Sequence, residues 1–345
     1  MAVSLPQNLT IFKEINVKSC FLTLWRGLLA VCLLSTSVAQ AQDAASYPNK
    51  PIRLIVPVPP GGAADGMARL VADHLQTKWG QPVLVDNKPG AGSAVGLGLL
   101  SKSPPDGYTI GMGNIAANAI NPALQPNQFA YQPVKDFAAI TLIGVTPLIL
   151  VVNADKVPSK TIPEFIAYLK ANPGKIAYGS SGTGSSLHIA MELFLQKTGT
   201  TMLHVPYKGS APMMTDLLGG QVLASMDAAT TSWPQVQAGK LRALGVAGSE
   251  RAFFAPDLPL VRDIVSGFDV KPWHGLMAPA GTPPAIVNKL SEEIQAFLRT
   301  PAAQAKLQAA GIVRVGNSAA EFQAFMASEF ELYKKVIQEA GIKAE

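Results

Sequence analysis

The segment YGSSGTGSSLHIAMELF, residues 178–194, holds the residue types in this sequence that are best suited to chemistry. Hydroxyl and glycine residues run directly into an apolar stretch with helical spacing, and a histidine stands in its first turn. Such a segment is suited to three tasks: cradling a phosphate, carrying a Ser/His nucleophile pair, or gripping an anion with backbone N–H groups. Two more glycine-rich loops, at 59–66 and 89–96, also separate a predicted strand from a predicted helix.

The spacing within these loops argues against three common nucleotide-binding and hydrolase motifs. The sequence contains no G-x-x-x-x-G-K-[ST] phosphate loop. The dinucleotide fingerprint G-x-G-x-x-G begins at Gly90 and Gly92, but the next glycine, Gly96, comes one position late. A G-x-S-x-G nucleophile elbow centred on Ser181 fails because Thr183 occupies the position of its last glycine. The loops therefore favour anion binding at helix N-termini.

Ser185 and His188 form a Ser/His pair, since a three-residue separation places both on one face of the predicted helix. A serine in the first turn of a helix most often caps backbone N–H groups. We therefore interpret His188 as a structural hydrogen-bond partner. A secreted α/β serine hydrolase that uses Ser181 or Ser185 with His188 is the alternative hypothesis.

Two acidic residues also occupy positions of interest. Asp227 ends an apolar strand, where it either caps the following helix or accepts a hydrogen bond from a ligand or a bound water. Asp65 lies in the first turn of a predicted helix, where an acid complements the helix dipole. The four histidines are dispersed without an H-x-x-x-H pair, so we predict no metal site.

The elements that must position these residues alternate along the chain. Apolar runs such as 52–58 read as strands, amphipathic stretches such as 67–80 read as helices, and Thr161 with Glu164 forms a capping-box signature. Further helices are predicted at 285–299, 301–310 and 320–340. This alternation predicts an α/β fold with a mostly parallel sheet, in which ligands bind where strands lead into helix N-termini.

The first 41 residues are predicted to be a signal peptide. Basic residues precede a short apolar run at 27–38, and Ala39 and Ala41 form the small-x-small pattern at which signal peptidase cleaves. The run is shorter than the roughly 20 residues of a membrane-spanning helix. We therefore expect export to the periplasm, with cleavage after Ala41.

The composition of the mature chain excludes several functional classes. Both cysteines, Cys20 and Cys32, lie in the predicted signal segment, so the mature protein has no disulfide and no cysteine nucleophile. The chain has a formal net charge of +5, and three basic residues against one acidic residue lie in the signal segment. The weak, dispersed charge left in the mature chain predicts no nucleic-acid binding. A mature length of about 300 residues predicts two domains.

Several motifs occur in a recognisable order. They include IRLIVPVPPGGAADGMAR, DNKPGAGSAVG, HVPYKGSAPMMTDLLGGQV and GLMAPAGTPPAIVNKL. This pattern resembles the tripartite tricarboxylate transporter substrate-binding family, also called Bug proteins, over essentially the whole mature chain. The resemblance implies an α/β, two-lobed periplasmic binding protein fold of the class II type with a ligand cleft between the lobes. By analogy, lobe 1 comprises residues 42–147 and 271–345, and lobe 2 comprises residues 148–270.

The resemblance also implies a carboxylate site shared by the two lobes. The expected binding residues are Pro60, Gly61, Gly62, Ala63, Asp65, Gly92, Ser181, Gly182, Thr183, Gly184, Ser185, Ser186, His188, Tyr207 and Asp227. The gripping loops contain no Lys or Arg, so we expect N–H dipoles and hydroxyls to neutralise the carboxylate. We expect the Gly184 N–H to contact it and Asp227 to lie near the far end of the ligand. Tyr207 either lines the mouth or belongs to a packed turn.

The implied function is non-catalytic. The protein would capture a small carboxylate, as a monomer without a cofactor, and deliver it to membrane permease subunits of a tripartite tricarboxylate transporter or signal its presence. Sequence does not identify the carboxylate, because selectivity depends on residues of the pocket wall.

Overall fold

The computed structural model describes residues 46–126, 128–248, 251–268 and 270–340. The predicted signal peptide and its cleavage site lie outside these residues. The unit Pro48–Glu345 carries both sheets of the protein, and the description below concerns this unit.

The first sheet has six strands. They are β1 (Ile52–Val56), β2 (Val83–Asn87), β3 (Thr109–Asn114), β4 (Phe137–Val145), β10 (Trp273–Pro279) and β11 (Val313–Arg314). Their order across the sheet is β11-β4-β10-β3-β1-β2. β1 pairs parallel with β2 and β3, whereas β10 pairs antiparallel with β3 and β4.

The second sheet has five strands, all from the middle of the chain. They are β5 (Leu148–Asn153), β6 (Ala177–Ser180), β7 (Leu203–Pro206), β8 (Ala224–Ala228) and β9 (Leu241–Ala247). Their order is β7-β6-β8-β5-β9. β6 pairs parallel with β7 and β8, and β5 pairs antiparallel with β8 and β9.

Both sheets are therefore mixed, and the prediction of a mostly parallel sheet is wrong. The antiparallel pairs involve strands next to the points where the chain passes between sheets. β4 leads into β5 across Thr146 and Pro147, and β10 returns to the first sheet after β9. Two successive strands of one sheet run parallel when a crossover connection joins them. β5 and β10 each follow a strand of the other sheet, so no such connection sets their direction. Buried strands of either kind give continuous apolar runs, so the sequence did not distinguish them.

The helices cover these sheets. They are α1 (Ala63–Trp79), α2 (Ala94–Ser101), α3 (Asn121–Leu124), α4 (Ile162–Ala171), α5 (Ser186–Thr198), α6 (Ser210–Gly219), α7 (Ala229–Gln237), α8 (Val261–Ile264), α9 (Pro284–Leu298), α10 (Pro301–Ala309) and α11 (Ala319–Ala340). The capping box before α4 is confirmed, because the Thr161 side chain accepts a hydrogen bond from the Glu164 N–H. α1 begins at Ala63 rather than Met67, so part of the predicted binding loop is helical.

Each sheet is covered by its own hydrophobic core. Phe165 of α4 and Phe194 of α5 pack in the core of the second sheet. Trp273 of β10 and Phe322 of α11 pack in the core of the first. Ile189 of α5 also belongs to the first core, so this helix connects the two.

None of the described helices is both long enough and apolar enough to cross a membrane. The chain passes from the first sheet to the second between Val145 and Leu148, and it returns to the first sheet between Ala247 and Trp273. The lobe boundaries expected at 148 and 271 stay a prediction.

Candidate ligand-binding site

A cavity of about 1160 Å³ lies between loops of the two sheets. The first sheet contributes the start of α1, and the second contributes the starts of α5, α6 and α7. The end of α10 with the residues that follow it (306–312), the aromatic pair Phe253 and Phe254, and residues at the two chain crossings also line the cavity. We call these last residues, Thr146, Leu148, Pro272 and His274, the floor of the cavity.

The first wall is the start of α1. Gly62 is the N-cap, has extended backbone angles and makes no side-chain cap hydrogen bond. The first N–H groups of a helix have no intrahelical acceptor, and the positive end of the helix dipole lies at the same place. Because Gly62 and Ala63 line the cavity, this helix start presents N–H donors to an anion bound there.

Asp65 holds this loop from behind instead of lining the cavity. Its buried carboxylate accepts hydrogen bonds from the Gly61 N–H, Asn87 Nδ2 and Arg69 Nε, each at 2.9 Å. Burial raises the pKa of Asp65, but hydrogen bonds from Arg69, Gly61 and Asn87 outweigh that effect and leave the pKa below its ordinary value. The Gly61 N–H is thereby committed to Asp65.

The second wall is the start of α5. Ser185 is the N-cap, and its Oγ accepts a hydrogen bond from the His188 N–H at 3.2 Å, as the capping interpretation predicts. Ser181 and Ser186 line the cavity. Their hydroxyls and the first N–H groups of α5 are the donors that this wall offers.

Gly184 does not offer its N–H to the cavity, contrary to our expectation. That N–H donates to His188 Nδ1 at 3.1 Å. Gly184 also has a positive φ of 74°, and a Cβ at this position would collide with the Asn121 side chain. His188 is close to Gly184 in the sequence, but the sequence does not show how its imidazole is oriented. In the structure the imidazole is buried against the first turn of α5, and it accepts the Gly184 N–H that we expected the ligand to use.

The geometry does not support a Ser/His nucleophile. The Ser185 hydroxyl accepts from a backbone N–H, and His188 Nδ1 is occupied by Gly184. Burial, with a smaller effect of His204, lowers the pKa of His188 to about 4. Ser180 Oγ does lie 2.8 Å from His204 Nε2, but Ser180 is fully buried and outside the cavity wall.

Asp227 lies fully buried behind the starts of α6 and α7. Its Oδ2 accepts a hydrogen bond from Thr231 Oγ1 at 2.5 Å, and the nearby Ser210 hydroxyl also favours its ionised form. Burial raises the pKa of Asp227 to about 7, although the hydrogen bonds from Thr231, Ala228 and Ser210 lower it. Ser210, Ala228 and Thr231 line the cavity and Asp227 does not. Asp227 is therefore placed to position the wall.

Tyr207 and Gly92 also lie outside the cavity wall. The Tyr207 hydroxyl donates to Asp216 Oδ2 at 2.7 Å, so Tyr207 itself is packed against α6, whereas its neighbours Lys208 and Gly209 line the cavity. The Gly92 carbonyl accepts from Asn121 Nδ2 at 3.3 Å. The loop of Gly92 follows β2, which is an edge strand of the first sheet.

The expected site residues thus divide into two groups. Those that line the cavity are Pro60, Gly61, Gly62, Ala63, Ser181 and Ser186. Those that do not are Asp65, Gly92, Gly182, Thr183, Gly184, Ser185, His188, Tyr207 and Asp227. The second group mostly supports the loops that carry the first, through the hydrogen bonds given above.

Sequence reasoning missed several lining residues. The starts of α6 and α7 reach the cavity with N-caps Gly209 and Ala228, neither of which makes a side-chain cap hydrogen bond. Gly209 precedes an apolar helical stretch just as Gly62 does, so the sequence could have indicated a second glycine N-cap at this position. The aromatic residues Trp233, Phe253 and Phe254 and the floor residues Thr146 and His274 carry no local signal, because only the packing of the two sheets brings them to the cavity.

Two mixed sheets, joined by two chain crossings and with a cavity lined by helix starts between their loops, define a two-lobed solute-binding protein of the periplasmic binding protein type. Residues 67–342 match the model of the tripartite tricarboxylate transporter family receptor. The chain belongs to this family. It is 34% identical over 319 residues to BugT of Bordetella pertussis, an alignment that covers 92% of this chain and 97% of that protein.

Two solved structures are similar over most of the chain. Rpa4515 of R. palustris with adipate is 33% identical with a TM-score of 0.80, covering 86% of this chain and 99% of that one. MatC of Rhodopseudomonas palustris with bound malate is 28% identical with a TM-score of 0.76, covering 84% and 100%.

Proposed function

We propose that this protein is a periplasmic receptor that captures a small carboxylate between its lobes and releases it unchanged. One observation carries the proposal: helix starts from both sheets meet at a single cavity. Three of their N-caps, Gly62, Gly209 and Ala228, make no side-chain cap hydrogen bond, so first-turn N–H groups remain for a ligand, apart from the Ala229 N–H, which donates to the Pro147 carbonyl at 2.9 Å.

The charges around the cavity support a grip by dipoles. The charged residues that line it are Arg69, Asp73, Lys208 and Lys306, and all four are exposed. Arg69 already pairs with Asp65, with Nε and Oδ2 separated by 2.9 Å. A carboxylate at the helix starts is therefore neutralised by N–H groups and by the hydroxyls of Ser181 and Ser186.

The similar structures support the ligand class. Rpa4515 was solved with adipate and MatC with malate, and both ligands are dicarboxylates. The cavity of this chain offers four helix starts, which is enough for a carboxylate at more than one position.

A binding role without catalysis accounts for the arrangement of the hydroxyl residues. Ser185 caps α5 and His188 supports the loop through Gly184, whereas Ser181 and Ser186 line the cavity as hydrogen-bonding groups for a ligand. Within the described ranges, no group of three His, Cys, Asp or Glu side chains is placed to hold a metal ion. We propose no cofactor and no reaction.

The remaining features of the proposal concern the whole protein. It acts as a monomer in the periplasm after removal of residues 1–41. Residues 42–147 and 271–345 form lobe 1, and residues 148–270 form lobe 2. Captured carboxylate passes to the permease of a tripartite tricarboxylate transporter or is sensed.

Thermal unfolding with a carboxylate panel tests the proposal. Purified protein is heated with mono-, di- and tricarboxylates and with neutral esters of the same acids. A carboxylate at about a hundred times its dissociation constant should add roughly 2.7 kcal/mol to the free energy of unfolding, a shift of several degrees. The esters are the matched controls, because they retain the carbon skeleton and lose the charge.

Mass spectrometry of the same mixtures separates binding from catalysis. A receptor leaves acids and esters intact, whereas the hydrolase alternative converts esters to acids. Ester turnover, or the absence of a shift across the carboxylate panel, contradicts the proposal.

A further inference from the structure

We propose that Thr146 and His274 form a subsite in the floor of the cavity that reads a hydroxyl group of the ligand. The preferred ligands are then carboxylates that carry a hydroxyl on their carbon chain. This inference rests on the proposed receptor function and adds a specificity determinant to it.

Two buried polar atoms in the floor have no hydrogen-bond partner. Thr146 Oγ1 and His274 Nδ1 are buried side-chain atoms without a partner among the described residues. Both residues line the cavity. Native proteins leave few buried polar atoms unpaired, because desolvation without a new hydrogen bond is unfavourable. A pair of such atoms beside a ligand cavity therefore indicates that a bound ligand supplies their missing hydrogen-bond partner.

The strand register places the two side chains together. Trp273 pairs with Val145, and His274 with Gly144. The Thr146 N–H donates to the Pro272 carbonyl at 2.9 Å, which continues this ladder by one residue. Side chains alternate along a strand, so Thr146 and His274 share the face opposite to Trp273, as diagonal neighbours. Diagonal Cα atoms lie roughly 7–8 Å apart, a span that one small group contacts from both ends.

The floor favours an uncharged group. All charged residues in the cavity lining are exposed, whereas Thr146 is 3% exposed. Burial lowers the pKa of His274 to about 4, so its imidazole is neutral near pH 7. A carboxylate pushed against the floor would be buried without a counter-ion. A hydroxyl avoids that penalty.

One hydroxyl completes both atoms. The Thr146 hydroxyl donates or accepts, and a neutral imidazole nitrogen accepts in one tautomer and donates in the other. A ligand hydroxyl donates to one of these groups and accepts from the other, after small rotations of the two side chains. A methylene group at the same place completes neither. The floor consequently separates a hydroxy acid from the deoxy acid of the same length.

Titration calorimetry with matched acids tests the subsite. The probes are malate with succinate, 2-hydroxyglutarate with glutarate, and 3-hydroxyadipate with adipate. The chain length that fits the helix starts should show at least about tenfold tighter binding of the hydroxy acid, because the hydroxyl makes two neutral hydrogen bonds, each of about 1 kcal/mol. Thr146→Val and His274→Phe should each reduce this ratio, and the double variant should bring it to one.

Conservative variants control for damage to the fold. Thr146→Ser keeps the hydroxyl, and His274→Asn keeps a polar atom near the position of Nδ1, so both should retain part of the preference. Affinity for the deoxy acid is measured for every variant to record any general loss of binding, and the ratio of hydroxy-acid to deoxy-acid affinity is the readout of the subsite. Equal affinities within every pair that binds, or a preference that survives in the double variant, would overturn the subsite and leave the receptor function standing. Failure of all six acids to bind would overturn both.

Discussion

Asp65 and Asp227 are both buried carboxyl groups behind the cavity walls, yet their surroundings move their pKa values in opposite directions. Asp65 receives three hydrogen bonds, including one from Arg69, and its pKa is lowered. Asp227 is fully buried without a nearby cation among its hydrogen-bond partners, and its pKa is raised to about 7. Burial disfavours a charge, and only hydrogen bonds or an opposite charge reverse the effect.

The sign of the Asp227 shift predicts a pH-dependent effect of Asp227→Asn. The unfolded carboxyl loses its proton near its ordinary pKa of 3.8, whereas the folded carboxyl keeps it up to about pH 7. The wild type therefore loses stability as pH rises through this window, because the unfolded state releases a proton that the folded state retains. Asparagine cannot ionise, so the variant escapes this loss.

Paired melting curves at pH 5 and pH 8 check this prediction. The stability of Asp227→Asn relative to wild type should be higher at pH 8 than at pH 5. Asp136→Asn, a substitution outside the cavity lining, is the control and should not reproduce the trend in this pH range. A relative stability of Asp227→Asn that falls from pH 5 to pH 8 would contradict the assignment.

At the scale of elements, the grip depends on where helices begin. The N-cap of α1 is Gly62 and that of α5 is Ser185, and these two helix starts face one cavity although they come from different sheets. A test of the grip must change charge at a helix start without straining the backbone. Gly184 is unsuitable, because its φ is positive and Asn121 fills the adjacent space.

Gly62→Asp meets this requirement. Gly62 has φ −85° and ψ 174°, and nothing lies within 4 Å of an added Cβ. Aspartate is a favoured N-cap, so α1 should be kept or slightly stabilised. Its carboxylate would occupy the place of the ligand anion and repel it. We expect carboxylate affinity to fall at least tenfold while the melting temperature of the free protein is maintained.

Gly62→Asn is the matched control, since it has the same size and capping ability without the charge. It should bind more weakly than wild type but better than Gly62→Asp in calorimetry. Equal, wild-type affinity of a folded Gly62→Asp protein would remove the start of α1 from the binding site.

At the scale of the whole molecule, two chain crossings join the lobes, and α5 packs against both cores through Phe194 and Ile189. If the helix starts on both sides of these connections contact the ligand as proposed, binding is coupled to the relative position of the lobes. The predicted export also concerns the whole molecule. Both cysteines precede residue 42, so removal of the signal segment would leave a mature chain without cysteine.

Intact mass of protein recovered from the periplasm tests the export prediction. Cleavage after Ala41 should leave a chain that begins at Gln42 and contains no cysteine, so alkylating reagents should add no mass. The full-length protein made without export is the control and should take up reagent at Cys20 and Cys32. A periplasmic species that still contains either cysteine would show that the predicted site is wrong.

The sequence by itself determined the family, the α/β class and the ends of several helices. Motif order and the Thr161 capping box depend on residues close together in the chain, and such local signals survive without tertiary information. It also indicated the anion-binding character of the loops at 59–66 and 179–186, because a helix start is a local feature as well.

Only the tertiary structure decided which donors face the cavity and which are used internally. The Gly184 N–H is taken by His188, the Gly61 N–H by Asp65, and the 89–96 loop lies beside an edge strand. The strand directions, and the meeting of Thr146 with His274 at the floor, follow from pairing between strands far apart in sequence. Contacts of this kind depend on how two sheets assemble, and no local pattern of residue types encodes them.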